Sequence, residues 1–119
     1  LMKKMAEGIA ESMGGSCHFD IHRGYPFLIN EEKLTNNAKA LAQDYLGEEN
    51  VVDLDIWMAA EDFAYYSQAT NACFYRLGTG NPAKDTMHSV HTPQFDIDED
   101  ALKISTGLMA YIALKQLGN

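Results

Sequence analysis

The first fifteen residues, LMKKMAEGIAESMGG, place Met2, Met5, Ile9 and Met13 at helical spacing, with Lys3, Lys4, Glu7 and Glu11 on the other side and Gly14-Gly15 as a stop. That periodicity predicts an amphipathic helix. The next stretch, SCHFDIHRGYPF, alternates instead: Cys17, Phe19 and Ile21 fall on one face and His18, Asp20 and His22 on the other, until Gly24 and Pro26 break it. Period two predicts a half-buried strand. In NEEKLTNNAKALAQDYLG a second helix is expected. Asn30 is its candidate N-cap, Glu31 and Glu32 favour the positive end of the dipole, Leu34, Ala38, Leu41 and Tyr45 form the buried stripe, and Gly47 ends it.

The second half continues the alternation of element types. A short strand is expected around Val51 to Leu54, then a polar Glu61-Asp62 step leads into an aromatic run suited to a short helix. ACFYRLGTGNP predicts a buried strand from Ala72 to Leu77 and a glycine loop at Gly78, Gly80 and Asn81. A long closing helix follows Asp98, its candidate cap, with Ala101, Ile104, Leu108, Tyr111 and Ile112 on one side. Helices alternating with strands predict an α/β architecture, a mixed sheet covered by helices.

Composition narrows the partners. The chain has 119 residues, 46% hydrophobic and 22% charged, an ordinary globular balance for about one domain. A formal net charge of -8 with only nine basic residues disfavours a nucleic-acid partner, which needs a basic face. No window approaches the roughly 18 to 20 consecutive apolar residues of a membrane span, so no membrane partner is expected. Cys17 and Cys73 lack CxxC spacing and are expected to act as small hydrophobes, not as a disulfide or a thiolate site. Because the chain opens on Leu1, a piece of a longer protein is expected.

Several groups carry candidate chemistry. His18, Asp20 and His22 share one strand face, but same-face neighbours lie roughly 6 to 7 Å apart along a strand, too far to converge on one ion without another element. They read instead as the solvated outer face of a strand. Gly78-Thr79-Gly80 lacks the lysine and helix start of a phosphate loop, although a glycine turn at a strand's carboxyl end suits a pocket rim. Glu61 and Asp62 fit helix capping as well as a site wall. His88 and His91 lie three residues apart, yet Pro93 stops a helix at Thr92, which leaves both on a loop as either surface residues or ligands.

The order of the pieces adds what no single piece gives. AAEDFAYYSQ, CFYRLGTGN, HTPQFDIDEDAL and the apolar closing helix, preceded by GYPFLINEEKLTNNAKAL, together resemble the C-terminal part of the M20 family of metal-dependent amidohydrolases and peptidases. The resemblance covers nearly the whole chain and is closest to the branch that cleaves N-acyl amino acids, hippurate-like compounds and auxin amides. It implies a catalytic α/β domain with an inserted ferredoxin-like lid: residues 1–25 would be the lid's last helix and edge strand, and residues 26–119 the closing portion of the catalytic domain. In the family's H-x-P-x-F pattern the histidine is the last metal ligand, here His91, whereas His88 does not match. Glu61 stands in a stretch similar to G-E-D-F, with Ala60 in place of the glycine, and resembles a substrate-pocket residue. Gly78, Gly80 and Asn81 would form the adjoining rim.

The resemblance further implies amide hydrolysis assisted by two divalent ions (zinc, manganese, cobalt or nickel) acting on a small N-acyl amino acid or peptide. A homodimer or other self-association and a cytoplasmic location are expected with it. The family's amino-terminal ligand segment, its Glu-Glu pair and its lid histidine have no match here, so the isolated chain is expected to be inactive. Two rival readings remain: a non-catalytic α/β binding or dimerisation module, and a stand-alone metal binder built on His18, Asp20 and His22.

Overall fold

Four α-helices and two short 3-10 turns make up the regular structure of the protein, a computed structural model describing residues 1–118. The helices are α1 (Met2–Ser12), α2 (Glu32–Leu46), α3 (Ala64–Ala69) and α4 (Asp100–Gln116), with the turns at Glu48–Asn50 and Pro82–Lys84. No strand forms among the described residues, which overturns the expected helix-covered mixed sheet. Residues 17–21, 51–54 and 72–77, each expected as a strand, form no ladder. A strand is held by repeated bonds to a neighbour in register, and here only isolated links occur, such as the N–H of Glu31 donating to the carbonyl of Ala72 at 2.9 Å.

Local chemistry explains where α2 starts and stops. Its N-cap is Glu31, not the expected Asn30: the Glu31 carboxylate accepts from the amides of Lys33 (3.2 Å) and Leu34 (2.6 Å). Asn30 is occupied elsewhere. Its amide nitrogen donates to the carbonyl of Phe74 at 2.8 Å, and its side-chain oxygen accepts the Phe74 N–H at 2.7 Å. The side chain thus pairs with both backbone groups of one residue, as an adjacent strand would. At the other end Gly47 takes φ +92°, a region open to glycine and costly for residues with a Cβ.

The packing centre is the contact of α2 with α4. Ala38 of α2 and Ala101 and Leu108 of α4 are buried, Leu108 to 2% exposure. Gly107 lies against the hydroxyl of Tyr45, where a Cβ would overlap it. The Tyr45 and Tyr111 rings stand 5.3 Å apart, and Tyr111 donates its hydroxyl proton to Asp44, a bond that raises the Tyr111 pKa above the ordinary phenol value. Other aromatic contacts lie around α3: Phe63 packs on Tyr66 at 5.5 Å and on Phe74 at 5.3 Å, and Tyr25 meets Tyr65 edge-on at 5.9 Å. By contrast, α1 makes no contact with another helix among the described residues.

The molecule is open. Its radius of gyration is 21.4 Å, against about 13.5 Å for a compact domain of this length. Ile56 and Met58 are 92% and 94% exposed, and Met2, Met5, Ile9 and Met13 all face solvent.

A polar clamp closes the segment between α3 and α4. Asn81 caps the Pro82–Lys84 turn by accepting the Ala83 N–H at 3.0 Å, and its amide donates to Asp98 at 2.6 Å. The ammonium of Lys84 donates to Asp98 and to Asp100, each at 2.6 Å. The expected capping by Asp98 takes the form of its carboxylate accepting the Asp100 N–H at 3.1 Å, while the N-cap position itself falls on Glu99. These donors, Lys84 first, then Asn81 and the Asp100 amide, hold the Asp98 carboxyl down at about 2. The bond to Asp100, and after it the bond to Asp98, raises Lys84 above its ordinary value.

Two outcomes follow from this packing. Leu108→Ala removes the most buried large side chain from a small core, a change costing about 2 to 5 kcal/mol. Urea titration followed by circular dichroism at 222 nm should show the cooperative loss of helix shifted to lower denaturant or abolished. Because the Asp98 pKa is lower in the folded chain than the ordinary 3.8, its contribution is complete above about pH 4 and is lost as pH falls toward 2. Stability should decline across that window in the natural chain and less steeply in Asp98→Asn.

Candidate functional site

His91 sits at the tip of an exposed loop whose shape is set by short-range bonds. The Thr92 hydroxyl donates to the Ser89 carbonyl at 2.8 Å and the Phe95 N–H to the Thr92 carbonyl at 3.1 Å, while Pro93 prevents a helix from continuing through Thr92. His91 itself adopts φ +67°, and Asp85 at the loop's start adopts φ +57°. Left-handed backbone is uncommon for residues other than glycine, with histidine and aspartate among the more tolerant. His88 is bound only loosely, its Nε2 lying 3.6 Å from Asp85 Oδ1 at an exposed position.

The base of this loop is more buried and more densely bonded than its tip. Thr86 is buried to 7% exposure, and its hydroxyl accepts the Asn81 N–H at 2.9 Å while its own N–H donates to the Asn81 carbonyl at 3.2 Å. Gly80 lets Met87 approach: a Cβ there would fall 2.7 Å from the Met87 sulfur. The N–H of Asp98 donates to the Thr79 carbonyl at 2.8 Å. Gly78 faces open space.

Glu61 belongs to a different neighbourhood. Half-buried, its carboxylate accepts the Phe63 N–H at 3.1 Å, so it tightens the turn before α3. It lies in the wall of an open cleft of about 710 Å³ with Tyr25, Phe27, Trp57, Phe74 and Arg76. The Arg76 guanidinium stacks 4.3 Å over the Trp57 ring, a cation–π contact. The structure therefore brings Gly80, Asn81 and the His91 loop together and places Glu61 in a cleft that none of those residues lines.

The donor set can be tested against the metal chemistry expected from the sequence. A catalytic zinc site takes three protein ligands and a structural one four. Among the described residues no three His, Cys, Asp or Glu side chains gather in a way that could hold a metal ion. His91 offers one imidazole and no partner ligand, so these residues alone do not make a metal site. The His18–Asp20–His22 alternative does not form either: His18 Nε2 lies 2.9 Å from Asp20 Oδ2, both exposed, and no third ligand joins them.

Sequence reading missed the part played by Asp98 and Lys84 in the loop. Asn81-Pro82 is a turn-starting pair whose asparagine side chain was free to cap, but its second partner lies 17 residues further on. The Trp57–Arg76 stack carried no signal along the chain.

Comparison with known proteins supplies the wider setting. The putative amidohydrolase YhaA of Bacillus subtilis (strain 168) is 30% identical over 113 residues, covering 95% of this chain and 28% of that protein. IAA-amino acid hydrolase ILR1-like 6 of Arabidopsis thaliana is 35% identical over 95 residues, 80% of this chain and 20% of the plant protein. Thermostable carboxypeptidase 2 of Saccharolobus solfataricus is 26% identical over 115 residues, 96% of this chain and 28% of its own length. The chain thus spans between 20% and 28% of the length of these curated relatives. No solved structure matches it. With YhaA alike along almost the whole chain and the model of peptidase family M20/M25/M40 matching residues 3–115, the chain belongs to that family.

Proposed function

We propose that this chain is the C-terminal portion of a metal-dependent amidohydrolase that cleaves the amide bond of N-acyl amino acids or related small amides and peptides, and that the isolated chain is inactive. The observation that carries the reading is the family match over residues 3–115, with HTPQF placed on an exposed, non-helical loop. The substrate class rests on relatives named as an amidohydrolase, an IAA-amino acid hydrolase and a carboxypeptidase.

On this reading residues 1–25 close a lid or dimerisation domain and residues 26–119 close the catalytic domain. The reading also assigns two divalent ions to the complete enzyme, with His91 as one donor among ligands supplied from outside this chain. Inactivity of the chain alone follows from its donor set, since one imidazole falls short of the three protein ligands of a catalytic zinc. The exposed apolar side chains of α1 and of residues 52–58 would be covered in the whole protein. Left bare, they drive self-association.

Three outcomes are expected. The 119-residue chain, supplied with manganese, zinc or cobalt, hydrolyses neither N-acetyl nor N-benzoyl amino acids; turnover that disappears in His91→Ala would overturn its inactivity. In the longer protein that carries this segment, His91→Ala lowers kcat for an N-benzoyl amino acid by at least about 100-fold, beyond the 10–100-fold typical of second-layer metal partners; a full-rate variant removes His91 from the ligand set. Sedimentation velocity of the isolated chain gives dimers or larger species, and a monomer at all concentrations speaks against the covered face.

A further inference from the structure

The loop that carries His91 is exposed and left-handed at the histidine itself, and its two turn bonds shape the tip without tying it to the rest of the chain. The structure provides one polar assembly at its base. Asn81, before the loop, and Asp98, after it, are joined by the 2.6 Å bond from the asparagine amide to one carboxylate oxygen, while the other oxygen accepts from Lys84 at 2.6 Å. Asn81 is fully engaged: its side-chain oxygen accepts the Ala83 N–H, and its backbone N–H and carbonyl both bond to the buried Thr86. The Asp98 N–H is tied to Thr79 on the incoming side. The loop is therefore cinched where its two ends meet, and its tip projects from a fixed base.

We propose that Asn81 and Asp98 are positioning residues for His91, setting the direction in which its imidazole is presented to the rest of the active site. The inference deepens the proposed function and rests on its reading of His91 as the metal donor. A donor on a wandering loop loses affinity because ordering it on binding costs conformational entropy, whereas a donor held in place beforehand does not. Neither Asn81 nor Asp98 needs to touch metal or substrate for this. Their effect passes through the backbone between residues 82 and 97.

The chemistry of the pair supplies its own control. In Asn81→Asp two carboxylates face each other across the 2.6 Å contact. In Asp98→Asn an amide NH2 must oppose either the Asn81 amide or the Lys84 ammonium, because only one acceptor oxygen remains. Exchange of the two, N81D with D98N, restores every hydrogen bond of the pair, with a neutral amide oxygen in place of the carboxylate that Lys84 meets in the natural chain. The carboxylate now at position 81 still accepts from Ala83 and receives the amide now at position 98, whose own oxygen is left for Lys84.

The test uses the metal-free 119-residue chain, so that its failure is separable from failure of His91 as a ligand. Heteronuclear NMR records the Cα and Cβ shifts of His91, which report its positive φ, its imidazole signals, and amide exchange over residues 87–95. Each single variant should lose the left-handed signature and raise amide exchange in the loop by about tenfold or more, the factor expected for a lost hydrogen bond to a charged group. Amides of α2 should stay as protected as in the natural chain. The exchange variant should return both His91 signals and loop protection to near their original values. Unaltered His91 signals in both single variants would overturn the proposal, and so would failure of the exchange variant to recover them, including collapse of all three variants.

Discussion

Close approach of α2 and α4 is the constraint on which the rest of the structure depends. It requires a helix surface with no Cβ at Gly107, because the Tyr45 hydroxyl occupies that space. Ala38 of α2 and Ala101 and Leu108 of α4 are the buried positions of the two helices. Once the two helices are together, Tyr45 and Tyr111 stack at their margin and Asp44 receives the Tyr111 proton. The C-terminal helix thereby becomes a fixed post. Asp98, just ahead of its first turn, holds the returning end of the His91 loop to Asn81.

Away from that contact the molecule shows much apolar surface. Large side chains from α1 and from residues 52–58 face solvent, and the open cleft beside Glu61 is walled by aromatic residues and the Arg76–Trp57 stack. Apolar surface on this scale is what a protein leaves for other parts of its own fold or for a partner. Relatives several times longer than this chain agree with that physical picture. The same logic applies to the polar groups. The single imidazole of His91 makes no metal centre with the described residues around it, and the alternating residues 51–58 lack the neighbour that would turn them into a strand.

How much of this was legible in the chain depended on the range over which each feature is decided. Helices are decided within a few residues: the 3.6-residue spacing of Met2, Met5 and Ile9, the stripe of Leu34, Ala38 and Leu41, and the stop at Gly47 all appear where the periodicity places them. The non-helical state of the His91 loop followed from Pro93 by steric exclusion alone. Family membership was also readable, because an ordered set of short motifs survives without any knowledge of how they pack.

What the sequence by itself determined, then, is helix positions, the loop bearing His91 and the family. The tertiary structure alone decided the rest. A strand exists only when another strand supplies its hydrogen bonds, so the strand patterns expected at 17–21, 51–54 and 72–77 were an unfulfilled condition and no sheet formed among the described residues. Asn30 was a plausible cap until Phe74 came within reach and claimed both ends of its amide. The bond between Asn81 and Asp98 spans 17 residues, and the fit of Tyr45 against Gly107 joins separate helices. Neither leaves a local pattern, because each depends on two distant segments arriving at the same point in space.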